Sequence, residues 1–148
     1  MKPSDKIKQF IINEEGFRAD AYQPLNTDRF TIGYGSTFYS NGDPVQYGDH
    51  IDEPTARNLI NAKLDNLAVA LSRFTNPKCT QQQFDAVLSL CYNVGLQAFS
   101  NSNTGSLYAG GVDISNRFEL WDESAGRVIP GLLTRRQKEK AIYDSGTY

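Results

Sequence analysis

Three side chains near the N-terminus have the types and spacing needed to cut a glycosidic bond. Glu15 is followed by Gly16, a common helix terminator, so its carboxyl is expected at the last turn of a helix. Asp28 is the only carboxylate in the polar loop between Tyr22 and Thr31. Glycoside hydrolysis uses one protonated and one ionised carboxyl group on either side of the bond. The hydroxyl of Thr31 could hold the attacking water.

Each of these three residues also has a purely structural explanation. A helix C-terminus and partial burial disfavour the ionised form of Glu15, as a general acid requires, but an exposed residue beside Glu14 is the ordinary alternative. Asp28 could be a simple turn residue, and a threonine such as Thr31 is common in strands. Only the surrounding sequence pattern can therefore distinguish a catalytic role from a structural role for these three residues.

The segment after Glu15 is predicted to be rich in β-structure. Residues 30–35 read as a strand whose two glycines would let a ligand approach the backbone closely. Residues 37–39 are predicted to continue it, 41–42 to form a hairpin turn, and 45–47 to form a return strand.

The remaining pattern is mainly helical. Asp52 and Thr80 are predicted helix caps, and Gln83 completes a capping box that opens an apolar helix running to Gly95. Further helices are predicted over residues 96–100, 106–109, 115–122 and 134–143.

These elements predict an α+β fold in one domain over residues 1–148. A β-rich lobe is expected over about 12–50, a long connecting helix over 52–75, and a larger helical lobe over 76–148. The first helix, 4–15, is expected to pack with the helical lobe.

Composition excludes several classes of function. The net charge of -2 gives no electrostatic reason to bind nucleic acid or an anionic membrane. Two cysteines, Cys79 and Cys91, are too few for a disulfide framework, and with the single His50 they do not form a metal site. We therefore expect no metal and no other cofactor. The N-terminus shows no apolar run of a signal peptide or membrane anchor.

Four segments of the chain, in order, resemble one known family. They are Glu15-Gly16-Phe17-Arg18 with Ala21-Tyr22 and Thr31-Ile32-Gly33-Tyr34-Gly35; Tyr92-Asn93-Val94-Gly95 with Ala98-Phe99; Ser106-Leu107; and Trp121 with Gly131-Leu132, Arg135-Arg136 and Glu139. Together they resemble the phage-type lysozymes of glycoside hydrolase family 24, from about Phe10 to Tyr143. The expected fold is that of these lysozymes, with a small β-hairpin lobe and a larger helical lobe.

The resemblance implies a muramidase that hydrolyses the β-1,4 bond between N-acetylmuramic acid and N-acetylglucosamine in peptidoglycan. Glu15 would be the general acid, and Thr31 would position the water. The family is held to invert configuration, which needs a carboxylate separation of roughly 6.5–9.5 Å.

The resemblance also implies contacts with the glycan and one supporting residue. Substrate contact is implied for Thr37, Tyr92, Asn93 and Ser106, although Tyr92 and Asn93 could equally be a helix interior and its polar end. Arg136, or its neighbour Arg135, matches an arginine expected to pair with the acid glutamate. Trp121 is expected to be core rather than a sugar platform.

The chain departs from the family pattern at the second carboxylate. The aspartate expected two residues after the tyrosine falls on Pro24, and the loop is about one residue longer than usual. We predict that Asp28 takes the vacated role, with Asp20 and then Asn26 as the alternatives. The family's frequent histidine after Gly35 is Ser36 here.

The implied biological role is that of an antimicrobial, bacteriolytic endolysin acting in host-cell lysis. We expect a monomer in the host cytoplasm that reaches the periplasm and cell wall through a separate holin, in a Gram-negative host. Its partner would be the glycan strands of peptidoglycan. Two alternatives remain open, a lytic transglycosylase that forms 1,6-anhydro products and an inactive peptidoglycan-binding relative.

Overall fold

The computed structural model describes residues 1–124 and 126–148. The chain divides into two compact units. Residues Lys8–Lys63 form what we call the first unit, and Met1–Ile7 with Leu64–Tyr148 form the second unit. The lobe boundaries expected from the sequence stay a prediction.

The described residues are mostly helical. The elements in chain order are α1 (Asp5–Glu15), β1 (Arg18–Tyr22), β2 (Thr31–Gly33), α2 (Glu53–Ser72), α3 (Gln81–Val94), α4 (Leu96–Ser100), α5 (Asn103–Ala109), a 3-10 helix (Ser115–Trp121), β3 (Glu123–Ser124), β4 (Arg127–Val128) and α6 (Pro130–Ser145). The predicted α+β class, dominated by helix, is confirmed.

The predicted helix caps are confirmed by their hydrogen bonds. The Asp52 carboxylate accepts the Thr55 N–H at 2.9 Å ahead of α2. At α3, the Thr80 hydroxyl accepts the Gln83 N–H at 3.3 Å, and the Gln83 side chain accepts the Thr80 N–H at 3.0 Å. These bonds satisfy N–H groups that have no partner within the helix, and so they fix where each helix begins.

Strand β1 was not predicted, and it supplies the pairing partner of β2. The two strands are antiparallel, with Arg18 opposite Gly33 and Tyr22 opposite Thr31, and the register shifts between these pairs. On the other side of β1, the Ile51 N–H donates to the Ala19 carbonyl at 3.0 Å. The segment ahead of α2 thereby pairs with β1.

The predicted strands after β2 are wrong. The chain reverses immediately after Gly33, because the backbones of Ile32 and Ser36 exchange two hydrogen bonds of 2.9 Å across a tight turn. Beyond it, Phe38 and Pro44 form only an isolated bridge, although the turn at Gly42 is present with φ of 89°. Positive φ at the two glycines of the first turn allows this reversal, so a continuous strand over residues 30–39 is not formed.

The expected role of Gly33 is also wrong. It adopts a φ of 64°, and a Cβ built there would lie 2.8 Å from the Ala56 Cβ and 3.2 Å from the Ile51 side chain. Real side chains do not tolerate such contacts, so a larger residue would push β2 away from α2. Glycine is needed here for close packing against α2, rather than for the approach of a ligand.

Helix α3 forms the centre of the second unit. Eight consecutive residues, from Phe84 to Cys91, are buried, which is typical of a helix surrounded by protein on all sides. Helix α6 packs along it. Two of the eight, Asp85 and Ser89, are polar, and buried polar groups must find hydrogen-bond partners.

Asp85 finds its partners at both ends of the sequence. Its carboxylate accepts the Ser4 N–H at 3.2 Å, the Ser4 hydroxyl at 2.5 Å and the Tyr148 hydroxyl at 2.5 Å. The Gln81 side chain donates a further bond at 2.9 Å. This one buried carboxylate therefore ties residues 4 and 148 to α3.

Candidate active site

Glu15 is the last residue of α1, as predicted, and it is half-buried. The helix ends there because Gly16 takes a left-handed φ of 70° and its N–H donates to the Ile12 carbonyl at 3.2 Å. Lys63 on α2 is exposed overall, yet loss of hydration around its ammonium lowers its pKa, while the nearby Glu15 carboxylate acts in the opposite direction. A positive charge therefore lies within electrostatic range of Glu15 in the first unit.

Asp28 closes the loop between β1 and β2. Its carboxylate oxygen Oδ2 accepts the Leu25 N–H at 2.8 Å, and its own N–H donates to the Leu25 carbonyl at 2.9 Å. The Gln23 side chain donates to the Asp28 carbonyl at 3.0 Å. Asp28 thus has the structural role of a turn residue, which was the alternative to a catalytic role. Its second carboxylate oxygen, Oδ1, takes no part in these hydrogen bonds.

The two other candidates for the second catalytic group are exposed. Asp20 lies in β1 and its Oδ1 is 2.7 Å from Nδ1 of His50, with side chains 84% and 67% exposed respectively. The same two residues form a backbone bridge, so Asp20 has a local partner across the sheet. Asn26 is exposed in the loop that Asp28 closes.

Thr31 is the first residue of β2 and is almost completely buried, at 8% exposure. Its hydroxyl donates to the Arg29 carbonyl at 3.3 Å. The hydroxyl hydrogen is therefore engaged, and the lone pairs on Oγ1 remain available to accept a proton from another donor. Thr37 lies after the tight turn and is half-buried, with its carbonyl accepting the Val45 N–H at 2.9 Å.

A polar cluster that sequence reasoning missed fixes the turn after β2. The Tyr34 hydroxyl donates to Glu53 at 2.8 Å, and Nε of Arg57 donates to the same carboxylate oxygen at 2.9 Å. Burial is the main cause that raises the pKa of the Tyr34 hydroxyl, and the hydrogen bond to Glu53 adds to it. The same hydrogen bond lowers the pKa of the Glu53 carboxyl. The Tyr34 ring also packs on Phe17, 5.6 Å between centroids, which joins the residue after Gly16 to this turn.

In the second unit, the structure brings together Asn93 and Arg136. Nη2 of Arg136 donates to Oδ1 of Asn93 at 3.0 Å. Arg136 is fully buried, whereas Asn93 is exposed near the end of α3. The exposed amide is therefore held from beneath by a buried guanidinium. The predicted pairing of Arg136 with Glu15 stays a prediction.

Glu139, which the sequence marked only as part of a signature, is the hub of this cluster. It is fully buried and contacts Arg136 at 2.7 Å, Nε of Arg135 at 3.2 Å and the Ser89 hydroxyl at 2.7 Å. Burial raises the pKa of the Glu139 carboxyl, and Arg136, Ser89 and Arg135 all act in the opposite direction. Burial is the largest of these effects, so the pKa of the Glu139 carboxyl lies above its ordinary value, while the two charged guanidiniums favour its ionised form.

The other predicted contact residues lie on neighbouring helices of the second unit. Tyr92 is half-buried on α3, and Ser106 is exposed on α5, where its hydroxyl donates to the Ser102 carbonyl at 3.3 Å. Trp121 is half-buried rather than fully in the core, with its ring 6.2 Å from that of the buried Phe99.

Neither a metal site nor a membrane-spanning helix is present among the described residues. Over 1–124 and 126–148, no group of three or more His, Cys, Asp or Glu side chains could hold a metal ion. None of the helices in this part of the chain combines the length and apolar character needed to cross a bilayer.

Comparison with known proteins identifies the family. The model of the family described as phage lysozyme matches residues 12–139. The chain belongs to the phage lysozyme family. The resemblance seen in the four sequence segments is thereby confirmed.

Two phage lysozyme relatives show how much of the chain is shared. An endolysin of Acyrthosiphon pisum secondary endosymbiont phage 1 is 34% identical over 98% of this chain and 99% of the relative. An endolysin of Bacillus phage B103 is 35% identical over 95% of this chain and 51% of the relative. The chain therefore spans about half the length of this Bacillus phage protein.

Two solved structures, an endolysin and a muramidase domain, share the fold. An endolysin from Escherichia coli O157:H7 phage FAHEc1 superposes with a TM-score of 0.88 at 28% identity, covering 100% of this chain and 96% of the other. A muramidase domain of SpmX from Asticaccaulis excentricus gives a TM-score of 0.84 at 28% identity, covering 97% and 98%. The expected fold of a phage lysozyme is thus confirmed along the whole chain.

The Glu139 cluster predicts a large loss of stability when its negative charge is removed. Glu139→Gln keeps the shape but leaves two buried guanidiniums without a counter-charge, so the free energy of unfolding should fall by about 3–5 kcal/mol. Urea denaturation measures this change. The matched control on the same helix is Asp144→Asn, which removes the i,i+4 partner of the partly exposed Lys140 and should cost about 0–1 kcal/mol. Equal losses in the two variants would contradict the role given to Glu139.

Proposed function

We propose that the protein is a peptidoglycan hydrolase, a muramidase that cleaves the β-1,4 bond between N-acetylmuramic acid and N-acetylglucosamine. The observation that carries this proposal is the half-buried carboxyl of Glu15 at the end of α1, in a chain of the phage lysozyme family. A general acid must deliver its proton to the glycosidic oxygen from a fixed position. The helix end supplies such a position because the Gly16 cap sets where α1 stops.

The second half of the reaction is the attack of water on the anomeric carbon. Thr31 Oγ1 would accept a hydrogen bond from this water, because its own hydrogen is engaged by the Arg29 carbonyl. A water held in this way directs a lone pair away from Thr31 and toward the sugar. The Oδ1 oxygen of Asp28 would accept the other water proton, while Oδ2 keeps the loop closed. Attack from the face opposite to Glu15 inverts the configuration, and the two carboxyl groups must then be separated by roughly 6.5–9.5 Å.

A lytic transglycosylase is the second candidate, and one observation favours it. The Asp28 carboxylate is already used to hold its own loop, and Pro24 occupies the position where the family resemblance expects an aspartate. An enzyme that closes a 1,6-anhydro ring by intramolecular attack needs no second carboxylate to activate water. Its acid would still be Glu15, so only the products separate the two reactions.

Product analysis tests the reaction directly. Purified peptidoglycan is digested, the products are reduced with borohydride, and the new ends are identified by mass spectrometry. A muramidase should release reducing ends that become muramicitol. Glucosaminitol ends would show cleavage of the other glycosidic bond, and 1,6-anhydromuramic ends would show a transglycosylase. Either outcome contradicts the proposed reaction, and wall binding without any product favours the inactive relative.

Replacement of the proposed general acid, Glu15, is the most informative single substitution in the first unit. Glu15→Gln keeps the size of the side chain but has no proton to donate, so the rate of wall clearing should fall by at least about 10²–10⁴-fold. Turbidity of permeabilised Gram-negative cells measures the rate, and thermal unfolding should show a nearly unchanged Tm. The neighbouring Glu14→Gln is the matched control and should retain activity. Equal activity in the two variants would remove Glu15 from the proposed mechanism.

Two aspartate variants test the second catalytic group. Asp28→Asn should lower the rate by orders of magnitude, on the order of 10²-fold or more, because an amide cannot accept the water proton. Asp20→Asn should have little effect, since Asp20 is exposed and its partner is His50. Initial rates of reducing-end release measure both variants at equal concentration. A larger loss of rate in Asp20→Asn than in Asp28→Asn would assign the second catalytic role to Asp20. Unchanged rates in both variants would exclude both aspartates from that role.

The biological setting follows the relatives, which are named endolysins. We propose that this chain likewise degrades host peptidoglycan in phage lysis, as a monomer acting on glycan strands. Release through a separate holin stays a prediction.

A further inference from the structure

Tyr34 lies in the tight turn that follows β2, three residues after Thr31. It is almost completely buried, at 6% exposure. The turn itself is closed by backbone hydrogen bonds between Ile32 and Ser36, and these bonds do not need the Tyr34 side chain. The role of this side chain therefore lies in its contacts with other elements of the first unit.

The Tyr34 side chain is connected to α1 by two routes. Its ring packs on Phe17, with 5.6 Å between the centroids, and Phe17 directly follows the Gly16 cap of α1. Its hydroxyl donates to Oε1 of Glu53 at 2.8 Å, and the same oxygen accepts Nε of Arg57 at 2.9 Å. The first route is direct, and the second route passes through α2.

Arg57 carries the second route from α2 to α1. Its Nη1 donates to the side-chain oxygen of Gln9 at 3.1 Å, and the Gln9 amide donates to Oδ1 of Asn13 at 2.7 Å. Asn13 lies in the last turn of α1, two residues before Glu15. The rigid fork of a guanidinium suits this role, because separate nitrogens reach Glu53 and Gln9. A continuous chain of side chains thus joins the turn after β2 to the end of α1.

The two ends that these routes join carry the proposed chemistry. Glu15 is the last residue of α1, and Thr31 is the first residue of β2. The acid has to reach the glycosidic oxygen while the hydroxyl holds the attacking water on the same sugar. The two groups must therefore keep one relative position, and small errors in such a position are costly in rate.

We propose that Tyr34 is a positioning residue, which holds the end of α1 against β2 and so sets the placement of Glu15 relative to Thr31. It acts through its ring and its hydroxyl, and it touches neither the substrate nor the reacting atoms. The side chains of Arg57 and Glu53 are 40% and 39% exposed, so their ion pair adds little stability by itself. The inference rests on the proposed function, because it explains how the acid and the hydroxyl are held for one reaction.

The first test removes the hydroxyl and keeps the ring. Tyr34→Phe breaks the second route but leaves the packing on Phe17. The kcat for release of reducing ends from soluble peptidoglycan strands should fall about tenfold, because the acid is less well placed in the transition state. KM should stay within about twofold, because the second route is not proposed to bind the glycan. Thermal unfolding confirms that the fold is retained.

Tyr39→Phe is the matched control in the same unit. Tyr39 is half-buried and its hydroxyl donates to Asp49 at 2.7 Å, so this variant also loses a bond from a tyrosine to a carboxylate. The bond joins two residues of the segment between the tight turn and α2. The control should lower Tm about as much as Tyr34→Phe while kcat stays unchanged. Equal kcat values in the two variants would show that Tyr34 has a structural role alone.

A second variant tests whether Tyr34 acts through the guanidinium. Arg57→Met keeps an unbranched side chain without donors, so kcat should again fall about tenfold. Because both substitutions break the same route, the double variant should lose no more activity than either single variant. Losses that multiply, to about 10²-fold, would show two independent effects and overturn the proposed route.

Amide hydrogen exchange separates this inference from the proposed function, because it does not depend on activity. The Gly16 N–H donates to the Ile12 carbonyl at the end of α1, and it should exchange several-fold faster in Tyr34→Phe than in Tyr39→Phe. If the protein releases muramicitol ends but either this exchange or kcat is unchanged in Tyr34→Phe, the inference is overturned and the proposed function stands. If no muramicitol is released, the proposed function fails, and faster exchange still supports the connection between Tyr34 and α1.

Discussion

The packing of α6 against α3 depends on the buried carboxylate of Glu139. Glu139 is fully buried and is the carboxylate that faces Arg135 and Arg136, two guanidiniums that themselves have almost no exposure. Taking these charges out of water is costly, and mutual attraction offsets the cost only when the geometry is close and the remaining lone pairs are used. Ser89 on α3 uses one of them, so the cluster also connects α3 to α6.

The same cluster has a consequence at the surface. Glu139 fixes the guanidinium of Arg136, and Nη2 of that guanidinium donates both to Glu139 at 3.1 Å and to the amide oxygen of Asn93 at 3.0 Å. Without such a hydrogen bond, an exposed polar side chain at a helix end exchanges between rotamers. Fixing it in one rotamer when a ligand binds then costs entropy. The buried ion pair thus orders an exposed residue near the end of α3.

The sequence was most informative where a structure is determined by neighbours in the chain. The capping box of Thr80 and Gln83, the Asp52 cap and the end of α1 at Gly16 each depend on residues within four positions. Such local signals are readable without knowing the fold. The predicted elements gave the α+β class, and the family resemblance added the particular fold, since its four segments lie in order along the chain.

Sequence reasoning failed where a residue's role depends on distant partners. Strand β1 carries only small alanines between its charged residues, and β2 and the segment before α2 pair with it on either side. Gly33 was assigned to ligand approach, yet the space that its missing side chain leaves is filled by Ala56, 23 positions away in the sequence. Glu139 lies 50 positions from Ser89, and no local pattern around either residue predicts their contact.

The candidate catalytic residues differ in how firmly the backbone fixes them. Glu15 lies where α1 ends and Thr31 where β2 begins, so the hydrogen bonds of regular structure determine both positions. Asp28 lies in a loop that is closed mainly by its own carboxylate and by Gln23. Loops tolerate changes of length and sequence better than helix and strand ends do. A second carboxylate could therefore move from the position now held by Pro24 to Asp28, whereas the acid and the hydroxyl could not move without rebuilding α1 or β2.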